Sequence, residues 1–327
     1  MTLEQYLANT LPGVTDIKDV SRAFAPSNIA LCKYWGKRQE EFNLPVNSSL
    51  SISLGNLGTE TSLECSNTDI LILNGEELDS SDPFSTRLFN YIDLFRPPSI
   101  KLKIETSNTI PTAAGLASSA SGFAAVIKAL SDLFSWDLSD QRLSEYARIG
   151  SGSACRSIYH GFVLWEKGEK HDGSDSFAHL INNSWTDLRL AILDVCSDKK
   201  AISSRDAMNR TASSSPYFTQ WSDIAQSDLA LLLNAIEEKD LHLLMKTAES
   251  NAMAMHASMM AAQPTILYFL AESVEMMHKV WACRSSGLSV YFTMDAGPNL
   301  KLLYHKDDEA EVLKQFPDAI SVNPFVT

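Results

Sequence analysis

The 327-residue sequence predicts two α+β domains, residues 1–185 and 186–327. Three observations carry this. Up to about residue 185, short segments of alternating or continuous apolar character are separated by turn residues, so strands dominate. From about residue 200 the apolar spacing turns helical. Near the end, 288–294 and 300–305 read as two strands around the tight turn Asp295-Ala296-Gly297-Pro298-Asn299, returning the chain to a sheet. A content of 45% hydrophobic and 20% charged residues suits a chain with a real core.

In order, 17–24 and 29–35 read as strands, with Ala25-Pro26-Ser27-Asn28 a turn or bulge between them. Further strands are expected at 51–54, 59–65, 69–73 and 100–106. A helix fits 83–96, opened by Asp82-Pro83 and closed before Pro97-Pro98. Apolar residues Phe123, Val126, Ile127, Leu130, Leu133 and Phe134 share one helical face, which predicts a helix starting near Ser118. Another spans 139–149 and ends at Gly150. Strands follow at 161–166 and 188–195, helices at 225–237, 239–257 and 264–284, then the late hairpin, a helix at 307–316 and a short final strand. The methionines between Met253 and Met260 read as helix packing.

Charge narrows the function. Lys+Arg 27 against Asp+Glu 40 gives −13, which argues against nucleic acid and anionic membranes as partners. An anionic small molecule would need cations gathered locally. The five cysteines are odd in number, far apart and without metal-ligand spacing, as for buried reduced thiols in a cytoplasmic protein. The seven histidines show no zinc pattern. Residues 1–20 lack a signal-peptide profile, and no apolar run approaches the ~20 residues that span a bilayer.

Several groups could carry chemistry. The stretch 111–122 (Pro-Thr-Ala-Ala-Gly-Leu-Ala-Ser-Ser-Ala-Ser-Gly) runs into the helix near 118. It reads equally as an ordinary serine cap or as a small-residue loop that lets a polyphosphate approach the positive end of a helix. Asp295 is either a turn aspartate bonded to its own backbone or a carboxylate at a site edge that works on a hydroxyl. Lys33, in an otherwise apolar strand, faces solvent or meets an anionic partner. Lys37 and Arg38 read as a solvated loop end or as cations placed near a phosphate. Arg156 lies within the small-residue run 151–157, where it forms a structural ion pair or grips a carboxylate or phosphate. Lys199, Lys200, Ser203, Ser204 and Arg205 form a further cluster of donors or a solvated loop. Together, these residues suit phosphoryl transfer to an anionic small molecule.

The loop Pro111–Ala120, with its Gly-Leu-x-Ser-Ser-Ala core, resembles the phosphate-binding motif of the GHMP kinase superfamily. The chain as a whole resembles the mevalonate diphosphate decarboxylase family within it. The matching pieces are Ala25–Ala30, Lys33-Tyr34-Trp35-Gly36-Lys37-Arg38, Leu44–Ser51, 111–122, Ser151–Ser157 and Met294–Asn299. They run in the family's order; Lys-Tyr-Trp-Gly-Lys and Gly-Ser-Ala-Cys-Arg-Ser are specific to it. The resemblance implies a two-domain GHMP fold: an N-terminal ribosomal-S5-like βαβ domain and a C-terminal ferredoxin-like α+β domain, with the active site between them. It implies magnesium-dependent conversion of ATP and mevalonate 5-diphosphate to isopentenyl diphosphate, carbon dioxide, ADP and phosphate, and a homodimer.

By the same resemblance, Asp295 would orient or deprotonate the substrate C3 hydroxyl. Lys33 would keep Asp295 ionised, and Arg156 with Asn28 would bind the substrate carboxylate. Ser119 would meet magnesium-ATP, with Pro111, Ala114, Gly115, Leu116, Ala117 and Ser118 in the nucleotide loop. Tyr34, Lys37, Ser151, Ser153, Ser204 and Arg205 would contact the substrate, mainly its diphosphate. His160 and Ala207 stand where the family often has glycine, and both are expected near the diphosphate pocket.

Overall fold

The computed structural model describes residues 1–109, 119–181, 184–196 and 201–326. Among them, helices and strands form two α+β layers that meet along one cleft. The first half is built on a seven-stranded sheet whose centre is the long strand Ser49–Ser66. Its outer part pairs with Lys101–Asn108, and its inner part with Phe162–Trp165.

Val20–Cys32 runs antiparallel to both parts and is one strand, where two were expected. The register slips between Pro26 and Asn28, so the stretch read as a turn or bulge is a bulge. Pro26 cannot donate to the ladder, and the irregularity sits at that residue. Opposite it, Gly58 allows the two backbones to close: a Cβ there would fall 2.1 Å from the Ala25 carbonyl oxygen. The bulge turns Asn28 toward the cleft. The strand ends at Cys32, so Lys33 is the first residue beyond it and not a strand residue.

Helix Ser119–Leu133 lays Phe123, Val126, Ile127 and Leu130 into the core against this sheet. Helix Pro83–Ile92 is capped by the Asp82 side chain, as its sequence predicts, but ends one turn early. Asp140–Gly150 stops at its glycine and passes through Ser151 into the 3-10 helix Gly152–Ile158.

The second half is a four-stranded antiparallel sheet in the order Val290–Met294, Leu300–His305, Leu188–Leu193, Ile320–Val322. Helix Leu241–Met260 packs on Val290–Met294 and also touches Val20–Cys32. One buried cluster therefore joins the halves: Ile29, Leu31 and Trp35 lie with Leu190, Trp221 and Met245. The Trp221 indole donates to the Trp35 carbonyl at 2.9 Å. Residues 33–36 are thus held from both sides, which gives the cleft between the halves a rigid floor.

Several local expectations change. Lys37 and Arg38 are not a solvated loop end: they lie in the short strand Lys37–Gln39 paired with Leu44–Pro45, and the Lys37 side chain is only 6% exposed. Ser203 caps a helix, Ser204–Ser214, where a solvated loop was an option. Met255 and Met259 are core residues, but Met260 faces outward one position further round. The five cysteines are free, yet only Cys32 and Cys155 are buried; Cys65 is exposed near the end of its strand. Among the described residues, no helix is long and apolar enough to cross a membrane.

Candidate active site

The cleft between the halves has a volume of about 540 Å³. Its chemistry is built from two turns that face each other. Lys33 enters from the end of the bulged strand. Its N–H donates to Asn251 Oδ1 at 2.8 Å, and its carbonyl accepts from Asn47 Nδ2 at 2.8 Å, so its backbone is clamped on both sides. The ammonium donates to the Ala30 carbonyl at 2.8 Å and to Asp295 Oδ1 at 2.9 Å. With the side chain 2% exposed, burial lowers the Lys33 pKa, opposed by the Asp295 carboxylate.

Asp295 opens the turn after strand Val290–Met294. Its carbonyl accepts the Gly297 N–H at 2.8 Å. The same carbonyl lies 3.1 Å from His256 Nε2. A carbonyl can only accept, so Nε2 carries the proton. Burial, helped by the nearby Lys33 charge, pulls the His256 pKa down to about 3, and the ring is neutral. Lys301, 3.7 Å from Asp295 Oδ2, completes the group.

The opposite wall is the 3-10 helix Gly152–Ile158. Arg156 is 3% exposed and donates to Ser49 Oγ at 2.7 Å. Its Nη2 and Nε reach Asn28 Oδ1 at 3.3 and 3.4 Å. Asn28 is oriented in turn by its donation to Ser157 Oγ at 2.8 Å. The guanidinium also lies 5.8 Å from the Trp165 ring centroid. Arg156 thus makes no ion pair with a carboxylate among the described residues, against the structural alternative left open by its sequence. Burial lowers its pKa, although a guanidinium stays charged. Tyr34 packs edge-on to Trp165, and Gly152 is needed beside it: a Cβ would sit 2.8 Å from the phenol oxygen. Burial raises the Tyr34 pKa, which keeps the hydroxyl protonated as a donor.

The rim is cationic. Lys37 pairs with Glu40 at 3.2 Å, and its pKa is lowered by burial, with Arg205 and Arg87 adding to the effect. Arg87 donates to the Gly150 carbonyl at 2.8 Å and lies over the Phe123 ring. Ser151, Ser153, Ser204 and Arg205 line the same space. Among the described lining residues, six are Lys or Arg and two are carboxylates. The local balance is therefore the reverse of the whole chain's −13.

Ser119 also lines the cleft, as the first described residue of helix Ser119–Leu133. The remainder of the proposed nucleotide loop, Pro111, Ala114, Gly115, Leu116, Ala117 and Ser118, lies outside the described residues, as do Lys199 and Lys200.

The cleft thus gathers every described residue that the resemblance assigns to catalysis, nucleotide or substrate; Arg38 instead donates to the Lys167 and Lys170 carbonyls. Ala207, fully buried, lies beside the cleft between its lining residues Asp206 and Met208, whereas His160 stacks on Phe24 and does not line it. Sequence reasoning also missed Arg87, Lys301, His256 and Asn251. Lys301 carried a signal, since it interrupts the apolar run Leu300–Tyr304 as Lys33 interrupts Ile29–Trp35. Arg87 sits in an ordinary amphipathic helix and carried none.

A carboxylate bonded to a buried lysine, a buried arginine and a positive rim define a cleft for chemistry on a polyanionic small molecule. Comparison with known proteins narrows the class. Residues 25–178 match the diphosphomevalonate decarboxylase-like N-terminal domain, and residues 190–324 the mevalonate 5-diphosphate decarboxylase C-terminal domain. The diphosphomevalonate decarboxylase of Gibberella zeae is 38% identical over 319 residues, covering 90% of this chain and 84% of that protein. The human diphosphomevalonate decarboxylase is 36% identical over 88% of this chain and 77% of its own length. Among solved structures, mevalonate diphosphate decarboxylase from Staphylococcus aureus superposes with a TM-score of 0.88 at 36% identity, covering 94% of this chain and 96% of that one. A complex of MDDEF with MVAPP, AMPPCP and magnesium gives 0.87 at 38% identity, over 93% and 96%. The chain belongs to the diphosphomevalonate decarboxylase family.

Proposed function

We propose that this cleft carries out ATP-dependent decarboxylation of mevalonate 5-diphosphate, giving isopentenyl diphosphate, carbon dioxide, ADP and phosphate. The observation that carries the reading is the juxtaposition of the Lys33–Asp295 pair, at 2.9 Å, with the Arg156–Asn28 pair on the facing wall of a cation-rich cleft. The substrate has two groups to be handled, a tertiary C3 hydroxyl and a carboxylate, and the two pairs match them.

In this reading Asp295 accepts the hydrogen of the C3 hydroxyl and aims its oxygen; Lys33 keeps the carboxylate ionised and offsets charge at the reacting oxygen. Arg156 and Asn28 hold the substrate carboxylate in line with the C3–O bond. Once the C3 oxygen leaves as phosphate, the electron pair of the carbon–carboxylate bond becomes the new double bond and carbon dioxide departs. Lys37, Arg205, Ser151, Ser153 and Ser204, with the Tyr34 hydroxyl, bind the diphosphate.

The donor set on the nucleotide side suits a magnesium-bound polyphosphate: a helix N-terminus, a hard serine oxygen and surplus positive charge. Ser119 would hold it, together with the loop at 111–118. Magnesium-ATP supplies the phosphoryl group that makes the C3 oxygen a leaving group. The free cysteines accord with a cytoplasmic setting. A division of the chain at residue 185 and a homodimer belong to the same reading.

The test is simultaneous measurement of carbon dioxide and ADP from purified protein, magnesium-ATP and mevalonate 5-diphosphate. Release in a 1:1 ratio, abolished in Asp295→Ala, is expected. ADP without carbon dioxide would make the protein a kinase and overturn the roles of Asp295, Lys33 and Arg156. Activity on the monophosphate alone would move the specificity to the rim.

A further inference from the structure

Lys301 lies on the return strand Leu300–His305, opposite Thr293 in the hairpin register. Alternation puts it on the same face as Leu303, and across the ladder as Tyr291; both belong to the core cluster that joins the halves. An ammonium on such a face is costly unless it meets an anion. Its side chain is 4% exposed. Its one hydrogen bond among the described residues, to the Asn299 carbonyl at 3.3 Å, leaves two of its three donors to other uses. The Asp295 Oδ2 atom is 3.7 Å from Lys301 Nζ, while Oδ1 is bonded to Lys33 at 2.9 Å.

Two buried ammonium groups therefore bracket the two oxygens of one carboxylate. They arrive from opposite halves of the molecule: Lys33 from just beyond strand Val20–Cys32, Lys301 from the hairpin strand Leu300–His305. Lys33 fixes one oxygen of the carboxylate and not by itself its plane. A second cation on the other oxygen sets its plane.

We propose that Lys301 is a positioning residue that acts through Asp295, setting the plane of the carboxylate and sharing with Lys33 the work of keeping it ionised. The inference rests on the reading above, in which Asp295 aims the C3 hydroxyl. The charged and titratable groups facing Asp295 among the described residues are Lys33, Lys301, the more distant Arg156, and neutral His256 through the Asp295 carbonyl.

The experiment compares wild type, Lys301→Met and Lys301→Arg, with two readouts. The first needs no substrate: the side-chain carboxyl of Asp295 is followed by 13C NMR against pH, its signal assigned by its loss in Asp295→Asn. Loss of the second cation moves the titration midpoint up by about one pH unit in Lys301→Met, while Lys301→Arg stays near wild type. The second is steady-state decarboxylation: Lys301→Met lowers kcat about tenfold or more with KM for mevalonate 5-diphosphate within about twofold, and Lys301→Arg recovers part of the loss.

An unmoved midpoint in Lys301→Met overturns the proposal whatever the activity. A moved midpoint with unchanged kcat overturns the positioning role. If wild type releases no carbon dioxide, the functional reading fails, and the carboxyl titration alone decides whether Lys301 holds Asp295. Methionine nearly matches lysine in length, and Asp295 keeps Lys33 as its partner at 2.9 Å, so the carboxylate is not left as an unpaired charge. Should Lys301→Met not fold, Lys301→Gln serves with the same expected shifts.

Discussion

The junction at Lys33 and Asp295 and the rim at Lys37, Arg87 and Arg205 lie in one cleft, but they are built on opposite plans. At the junction every cation has a fixed partner: Lys33 is bonded to Asp295, to a backbone carbonyl and, through its own backbone, to Asn251 and Asn47. Asn251 is itself held by Asp228 at 2.9 Å. At the rim, burial lowers the pKa of Lys37 and of Arg87, Arg205 adds to both, and each has one polar partner: Glu40 for Lys37, the Gly150 carbonyl for Arg87. A group fixed by several bonds costs no reorganisation when charge develops beside it, which favours chemistry. Cations that repel one another gain most when an anion arrives, which favours binding. In this account the junction acts on kcat and the rim on KM.

The sharpest way to break that division is at the junction. Asp295→Ala should lower kcat by about 10⁴, the upper end for losing a positioned acid–base group, with KM for mevalonate 5-diphosphate changed less than about threefold. A KM effect of comparable size would place Asp295 among the binding groups. Next is Arg156→Lys. A lysine keeps the charge but cannot span Asn28 and Ser49 together, so kcat should fall about 10²-fold in steady-state assays, and equal activity would remove the carboxylate-holding role.

At the rim, Arg87→Ala should raise KM about tenfold and leave kcat within about twofold. Raising salt should increase KM in wild type more than in the variant, because screening weakens what the variant has already lost. A last prediction concerns stability and not turnover. His256 has an ordinary value of 6.5 and a folded value of about 3. Between these the unfolded chain binds a proton that the folded chain refuses. Stability is therefore full above 6.5 and is lost as pH falls toward 3, by up to about 1.4 kcal/mol per pH unit from this group. His256→Gln should flatten the denaturation midpoint between pH 6 and 4, and an unchanged slope would show that other groups dominate there.

What was legible in the sequence follows the same physical line. Lys33 stood out because a charge interrupts an apolar run, and burial bears that out. Asp295 and Arg156 stood out because small neighbours leave room around a charged group. Their alternatives stayed open because partners are a tertiary property: nothing local says that a residue after strand Val20–Cys32 and a turn after strand Val290–Met294 come within 3 Å. Lys301 shows the limit, since its sequence signature equals that of Lys33, but its target is set by hairpin register and by helix Leu241–Met260 packed behind. The misreading of Val20–Cys32 has a local cause. Pro26 signals an interruption, and only the facing Gly58 lets the strand continue through it as a bulge. The outward turn of Cys65 and Met260 shows burial following position on the element, beyond residue type.

The division of labour is tested most directly by calorimetric titration of mevalonate 5-diphosphate into wild type, Asp295→Ala and Arg87→Ala without nucleotide, alongside carbon dioxide release by the same samples with magnesium-ATP. The account predicts that Asp295→Ala binds within about threefold of wild type yet releases no carbon dioxide, while Arg87→Ala binds about tenfold more weakly and turns over near the wild-type rate at saturation. Weak binding by Asp295→Ala together with unimpaired binding by Arg87→Ala would contradict it.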